Sequence, residues 1–178
     1  MLRTLTLLAC VLSVWPVCAA PRDPADYFFE ETFGNFQEEL ESARQDGKQA
    51  ILIFFEMDEC PFCHRMKMSV LNQPEVQDYF REHFRIFSLD IEGDVEITDF
   101  EGRHTTQKDF AFQQYQVRAT PVLAFFDLDG KLIARHTGPT SGVEEFLWLG
   151  EYVADGHYSK ESFTRFKRSK RQQQASSE

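Results

Sequence analysis

Cysteine is scarce in this chain: four occur in 178 residues, at Cys10, Cys18, Cys60 and Cys63. A small domain stapled by disulfides carries several spaced pairs, so that class is excluded. Zinc fares no better, because one Cys-x-x-Cys supplies two ligands and no paired His or Cys motif completes four. Positive charge is also in deficit. Nineteen Lys and Arg face 29 Asp and Glu, for a net charge of −10. No basic body surface follows, which argues against nucleic acid as a partner. No internal repeat is visible, and no apolar run is long enough to cross a bilayer, which takes ~20 residues.

The one leader-like stretch is "MLRTLTLLACVLSVWPVCAA". It has a single basic residue (Arg3), no acidic residue, a short apolar run broken by Pro16, and small residues at its end. It reads as a secretory signal peptide over residues 1–19, cleaved after Ala19. "LLAC" resembles a lipoprotein box, but too few apolar residues precede Cys10. Cleavage removes Cys10 and Cys18, so an exported protein retains only Cys60 and Cys63. About 160 residues remain, enough for one domain with one core.

Two runs, "AILIFFE" from Ala50 and "PVLAFFDL" from Pro121, are continuously apolar. Continuous rather than alternating apolarity predicts central strands covered on both faces. "FRIFSLDI" from Phe84 predicts a third strand. "KLIARHTG" after "DLDG" predicts the second arm of a hairpin. Asp127 and Asp129 do not make a calcium loop, because Gly130 comes fourth where an EF-hand needs its glycine sixth; a turn is expected. Helical patterns lie between. Asn35 with Glu38 opens one that stops at Gly47. Pro61 suits the first position of another, and "PEVQDYFREHF" puts Val76 and Phe80 on one face. "QKDFAFQQYQV" is short. Ser141 and Glu144 form a capping box before a stripe of Val143, Phe146, Leu147 and Gly150. The intervening "EGDVEITDFEGRHTTQ" alternates at Val95 and Ile97, as a small hairpin would. "KESFTRFKRSKRQQQASSE" predicts a polar, basic tail over 159–178, solvated and partly disordered. Strands alternating with helices give an α/β layer fold, with Cys60 just past a strand end.

Cys60-x-x-Cys63 is the spacing of thiol–disulfide oxidoreductases, and with His64 also that of c-type haem attachment. Its placement favours the first. At a helix start, unpaired backbone N–H groups and the positive helix end stabilise a thiolate on Cys60. A thiol of pKa ~8.5 is about 3% ionised at neutral pH, and one lowered to ~6.5 about 76%. Closing so short a loop stabilises by only about 2 kcal/mol, so chemistry rather than stability explains the pair. Cys63, nearly a turn further in, is the candidate for resolving a mixed disulfide. His64, Arg65 and Lys67 add positive potential. Thr120–Pro121 opens the second buried strand, where Pro needs no ladder donor and a cis bond is a recognised option.

CxxC after an apolar strand, Thr-Pro before the next, then a hairpin and a terminal helix resemble the thioredoxin fold. More narrowly, "FFEMDECPFCHRM", "LNQPEVQDYF", "LDIEGDVEITDFEG", "VRATPVLAFFDLDGK" and "YSKESF" resemble periplasmic thioredoxin-like proteins of the SoxW type, a group associated with bacterial sulfur oxidation. The resemblance implies a thioredoxin-like domain over residues 20–158, with a central mixed β-sheet flanked by helices and a small insertion around residues 92–106. It implies Cys60 as the attacking thiol, Cys63 as the resolving thiol, and Pro121 as the cis-proline beside them. Thr120, Pro61 and Phe62 join Pro121 as substrate-positioning residues. His64 and Glu56 are candidate modulators of proton transfer. The redox-active disulfide is the only redox group implied, with no further cofactor and no metal. The implied partners are protein disulfides and a membrane electron donor of the CcdA kind, and the implied state is a periplasmic monomer.

Two departures from thioredoxin stand out. Glu59 replaces the tryptophan before the first cysteine, and Phe54 replaces the buried aspartate of the preceding strand. Pro-Phe between the cysteines resembles glutaredoxin and DsbA more than thioredoxin, which leaves the direction of electron flow open. The leading expectation is a protein-disulfide reductase. Alternatives are a thiol oxidant or isomerase of the DsbA or DsbC kind, a binding module without turnover, and a c-type haem protein with His64 as axial ligand.

Overall fold

The computed structural model describes residues 20–177; the expected signal peptide lies outside the described residues. Four strands form the main sheet: β1 (Ala50–Glu56), β2 (Phe84–Asp90), β5 (Val122–Phe126) and β6 (Leu132–Thr137), in the order β2-β1-β5-β6. β1 pairs parallel with β2 and antiparallel with β5, which pairs antiparallel with β6. The parallel pair demands a crossover. It is supplied by α3 (Pro61–Met66), a π turn (Lys67–Leu71) and α4 (Pro74–His83).

Period-two alternation explains why the central strands are apolar throughout. In β1, Ala50, Leu52 and Phe54 enter one core, while Ile51, Ile53 and Phe55 enter the other. In β5, Leu123 and Phe125 face the first core, and Val122, Ala124 and Phe126 the second. The first core lies under α3, α4 and α6 (Val143–Ala154). The second lies under α2 (Phe36–Gln45) and the segment after β4 (His104–Thr106), where α5 (Gln107–Asp109) runs into a π turn. The result is a three-layer arrangement of the thioredoxin-like kind.

Local chemistry sets the element ends. Asn35 accepts from the N–H groups of Gln37 and Glu38 and donates to the Glu38 carboxylate, so the expected cap is in place. The turn at Asp127 has its carboxylate accepting from the N–H groups of Asp129 and Lys131. The insertion is a hairpin of β3 (Glu96–Thr98) and β4. Buried Asp99 holds its bend by accepting from the backbone of Glu101 and Arg103 and from the side chains of Arg103 and Gln114. The outer edge of β2 is covered by the N-terminal segment: Glu30 exchanges backbone and carboxylate hydrogen bonds with Ile86. Such cover removes an open edge.

Two expectations are corrected. Ser141 does not cap α6; the helix starts one residue later than such a cap requires, with Gly142 at the N-cap and no side chain bonding the helix start. Buried Glu145, in the first turn, is paired with Lys167 and Arg171. The basic terminal segment is not a disordered end either. It forms α7 (Phe163–Ser177), while a short α1 (Pro24–Tyr27) lies at the other end of the described residues. α7 docks because Phe166 is buried while Lys167 and Lys170 reach Glu145 and Glu151 of α6. Charge density alone hides this, since the stripe is only Phe163 and Phe166.

Candidate active site

β1 ends at Glu56, three exposed or half-exposed residues follow, and Cys60 becomes the N-cap of α3. Pro61 takes the first helical position, where its missing N–H costs nothing. This fixes Cys60 in extended backbone and turns Cys63 back toward it. The two form a disulfide, with S–S 2.03 Å and Cα–Cα 5.2 Å. The Cys63 N–H, one of the helix's unpaired donors, points at the Cys60 sulfur at 3.0 Å. That donor, with the helix dipole behind it, would stabilise negative charge on Cys60 once the bond is reduced. Both cysteines are buried, Cys63 the more so at 2% exposed against 6%.

Phe62 projects between them into solvent, with the Arg65 guanidinium 5.0 Å above its ring. The Thr120–Pro121 bond is cis, and Pro121 immediately precedes β5. Because Phe55 pairs with Val122, one further step in the ladder sets Pro121 level with Glu56, at the sheet end that carries the disulfide. The Gly138 N–H closes on the Pro121 carbonyl at 2.9 Å.

Below the disulfide is a surface cavity of about 170 Å³ lined by Glu56, Met57, Asp58, Cys60, Cys63, His64 and Lys67. Glu56 is pinned there. The Lys67 ammonium lies 2.6 Å from its carboxylate, and the Ser88 hydroxyl donates to it. Phe54, which stands in the thioredoxin aspartate's place, is fully buried and packs 5.6 Å from the Phe29 ring.

Of the residues singled out in the sequence, Cys60, Cys63, His64 and Glu56 therefore share one cavity. Pro61 and Phe62 lie between the cysteines, and Thr120–Pro121 lies at the same end of the sheet. Sequence reasoning gives Lys67 only as a source of positive potential, not as the partner of Glu56. Ser88 carries no sequence signal, since its approach depends on the parallel register that sets it opposite Phe54. Among the described residues, no three His, Cys, Asp or Glu side chains converge to hold a metal ion. No described helix is long and apolar enough to cross a membrane.

Comparison with known proteins agrees with this geometry. The family described as "Thioredoxin-like domain" matches residues 36–154. A Chlamydia pneumoniae protein named disulfide bond reductase DsbH is 27% identical over 144 residues, spanning 75% of this chain and 84% of that protein. Among solved structures, a thioredoxin-fold protein from Helicobacter pylori is 25% identical with a TM-score of 0.55, covering 69% of this chain and 80% of its own. A structure titled DsbH oxidoreductase is 22% identical with a TM-score of 0.55, covering 84% and 95% respectively; at that identity the likeness speaks to fold alone.

Proposed function

Because this chain belongs to the thioredoxin-like domain family, we propose that it is an exported thiol–disulfide oxidoreductase that reduces protein disulfides. The observation that carries this reading is the Cys60–Cys63 disulfide at the mouth of α3, with the Cys63 N–H on the Cys60 sulfur. In the reduced protein, the Cys60 thiolate attacks a substrate disulfide and expels one substrate thiolate. Cys63 then attacks the Cys60 sulfur of the mixed disulfide and expels the second. Two electrons leave the dithiol, and the substrate departs as a dithiol. Pro61 and Phe62 shape the approach from the helix side, and Thr120 and Pro121 from the sheet side.

The direction of electron flow is the finer part of the proposal. It draws support from the similarity to a protein named as a disulfide bond reductase. Reductive work in an oxidising compartment needs an electron supply across the membrane, so a donor of the CcdA kind is the partner we infer. A periplasmic place, and a role beside sulfur oxidation as in the SoxW type, belong to the same reading. The test has two parts. Cys63→Ser should accumulate covalent adducts with substrate proteins that a thiol reductant releases, and Cys60→Ser should abolish both adducts and insulin reduction. The equilibrium with glutathione should place the potential near that of thioredoxin, ≈ −270 mV; a value near DsbA's, ≈ −120 mV, reverses the direction.

A further inference from the structure

The resolving cysteine must lose a proton before it can attack, and the buried aspartate that would serve in thioredoxin is a phenylalanine here. Phe54 is fully buried and its ring environment is aromatic, so that part of the strand offers no acceptor. Two residues on, the same strand face presents a carboxylate. Glu56 is 18% exposed and lines the cavity that Cys60 and Cys63 also line.

Its orientation is fixed from two directions. Ser88 on β2 donates to the carboxylate, and Lys67 donates to it at 2.7 Å from the far end of the CxxC helix. The helix leaves regular α geometry at Lys67: the Lys67 N–H reaches both the Cys63 and His64 carbonyls, and a π turn begins there. Single π turns within helices are frequent at functional sites. The Lys67 ammonium has a second contact, 5.6 Å over the Phe29 ring. The other titratable groups around the carboxylate are Asp58 and His64 in the cavity and Asp90, its register partner on β2. Asp58 and His64 are exposed, so neither is held in place as Glu56 is.

We propose that Glu56 is the proton acceptor for Cys63 in the resolving step, with Lys67 and Ser88 as positioning residues. This rests on the proposed function and names a further participant in the same site. The step balances as follows. The Cys63 S–H bond breaks and its proton passes to the Glu56 carboxylate, directly or through a water in the cavity. The Cys63 sulfur then bonds to the Cys60 sulfur, the bond from Cys60 to the substrate sulfur breaks, and the substrate leaves as a thiolate that takes up a proton from Glu56 or solvent. Both cysteines are oxidised and the substrate disulfide is reduced.

An aryl disulfide that releases a coloured thiolate separates this from the reading it rests on. Mixed with reduced protein in stopped flow, it should give two phases: the first release reports attack by Cys60, the second attack by Cys63. Glu56→Gln should leave the first phase unchanged and slow the second by about 100-fold at neutral pH, the lower end of what a positioned base supplies. The second phase should recover as pH rises and solvent deprotonates Cys63. Glu56→Asp should keep the wild-type pH profile at reduced rate. Lys67→Met removes the side chain that orients the carboxylate, so it should slow the second phase more than the first. A merely structural role would slow both phases at every pH. An unchanged second phase in Glu56→Gln overturns the proposal, and so does transfer of the whole effect to His64→Gln. If Glu56→Gln fails to fold, an unchanged ratio of the two phases in Lys67→Met overturns it. Absence of the first phase in wild-type protein overturns the proposed function instead.

Discussion

Phe62 stands half in water beside the disulfide, 51% exposed, with Arg65 stacked on it. Phe54, eight positions earlier, has no exposure at all. The same side chain thus has opposite consequences at the two places. Phe54→Ala empties a closed aromatic cluster and should destabilise by about 3–5 kcal/mol, read as a lower denaturant midpoint at unchanged slope. Phe62→Ala removes nothing from the core and should shift stability by no more than about 0.5 kcal/mol. Its effect should fall on protein substrates. Burying the ring against a partner is worth about 1.5–3 kcal/mol, so kcat/KM for a protein disulfide should fall by roughly 10-fold or more. The small aryl disulfide, which cannot cover the ring, should react at the wild-type rate. At this scale the sequence is informative where a residue's role is set by its chain neighbours. Cys60, Pro61 and Cys63 are recognisable because a helix N-terminus is a local structure. Ser88 is not, because only the strand register brings it to Glu56.

Between elements, α6 is the piece on which most else rests. Its Gly150 sits against α4: a Cβ there would lie 2.7 Å from the Tyr79 ring and 3.0 Å from that of Phe80. Phe80 is fully buried and stacked on Phe146 with centroids 4.2 Å apart, so it has little room to yield. Alanine normally gains about 1 kcal/mol over glycine within a helix, but overpacking a closed contact costs about 1–3 kcal/mol. Gly150→Ala should therefore destabilise, and a thermal melt gives the sign. The other face of α6 carries α7. Burial would raise the Glu145 carboxyl, but hydrogen bonds from Lys167 and Ser141 outweigh it and hold the group below the usual carboxylate range. Burial likewise pushes the nearby His136 imidazole down, partly opposed by Glu145. Both shifts have one consequence. A depressed folded-state value stabilises above the group's ordinary range and ceases to as pH falls through the folded value. Acid should therefore loosen α7 from α6 before the sheet unfolds, seen as amide exchange confined to residues 163–177. Lys167→Met should bring that loosening to higher pH. This docking is hard to read from sequence, because the segment's five basic residues suggest a solvated end while its partners lie on a different helix. The caps show the same limit. Asn35 and Glu38 act as read, since both partners are local; Ser141 does not, because the helix begins one residue past it, at Gly142.

For the molecule as a whole, the sheet divides two cores, and the disulfide belongs to one of them. Cys60 and Cys63 pack into the cluster with Phe54, Met66, Phe80 and Phe146 rather than standing clear of it. Redox state and folding stability are consequently linked through a thermodynamic cycle. The difference in stability between oxidised and reduced protein equals the difference in potential between the folded pair and the same pair in an unfolded chain, with 30 mV corresponding to about 1.4 kcal/mol. A reductant holds its oxidised form the more tightly, whereas an oxidant such as DsbA stabilises its reduced form. The Cys63 N–H aimed at the Cys60 sulfur favours a reduced thiolate, and burial of the pair opposes it. Those two effects have opposite signs, and their balance sets the direction of electron flow. If this chain is a reductant, the oxidised protein should unfold at higher urea than the reduced protein, with the same slope. A reduced form that is the more resistant would mean that the helix-end donor outweighs burial, and that the same fold drives electrons the other way.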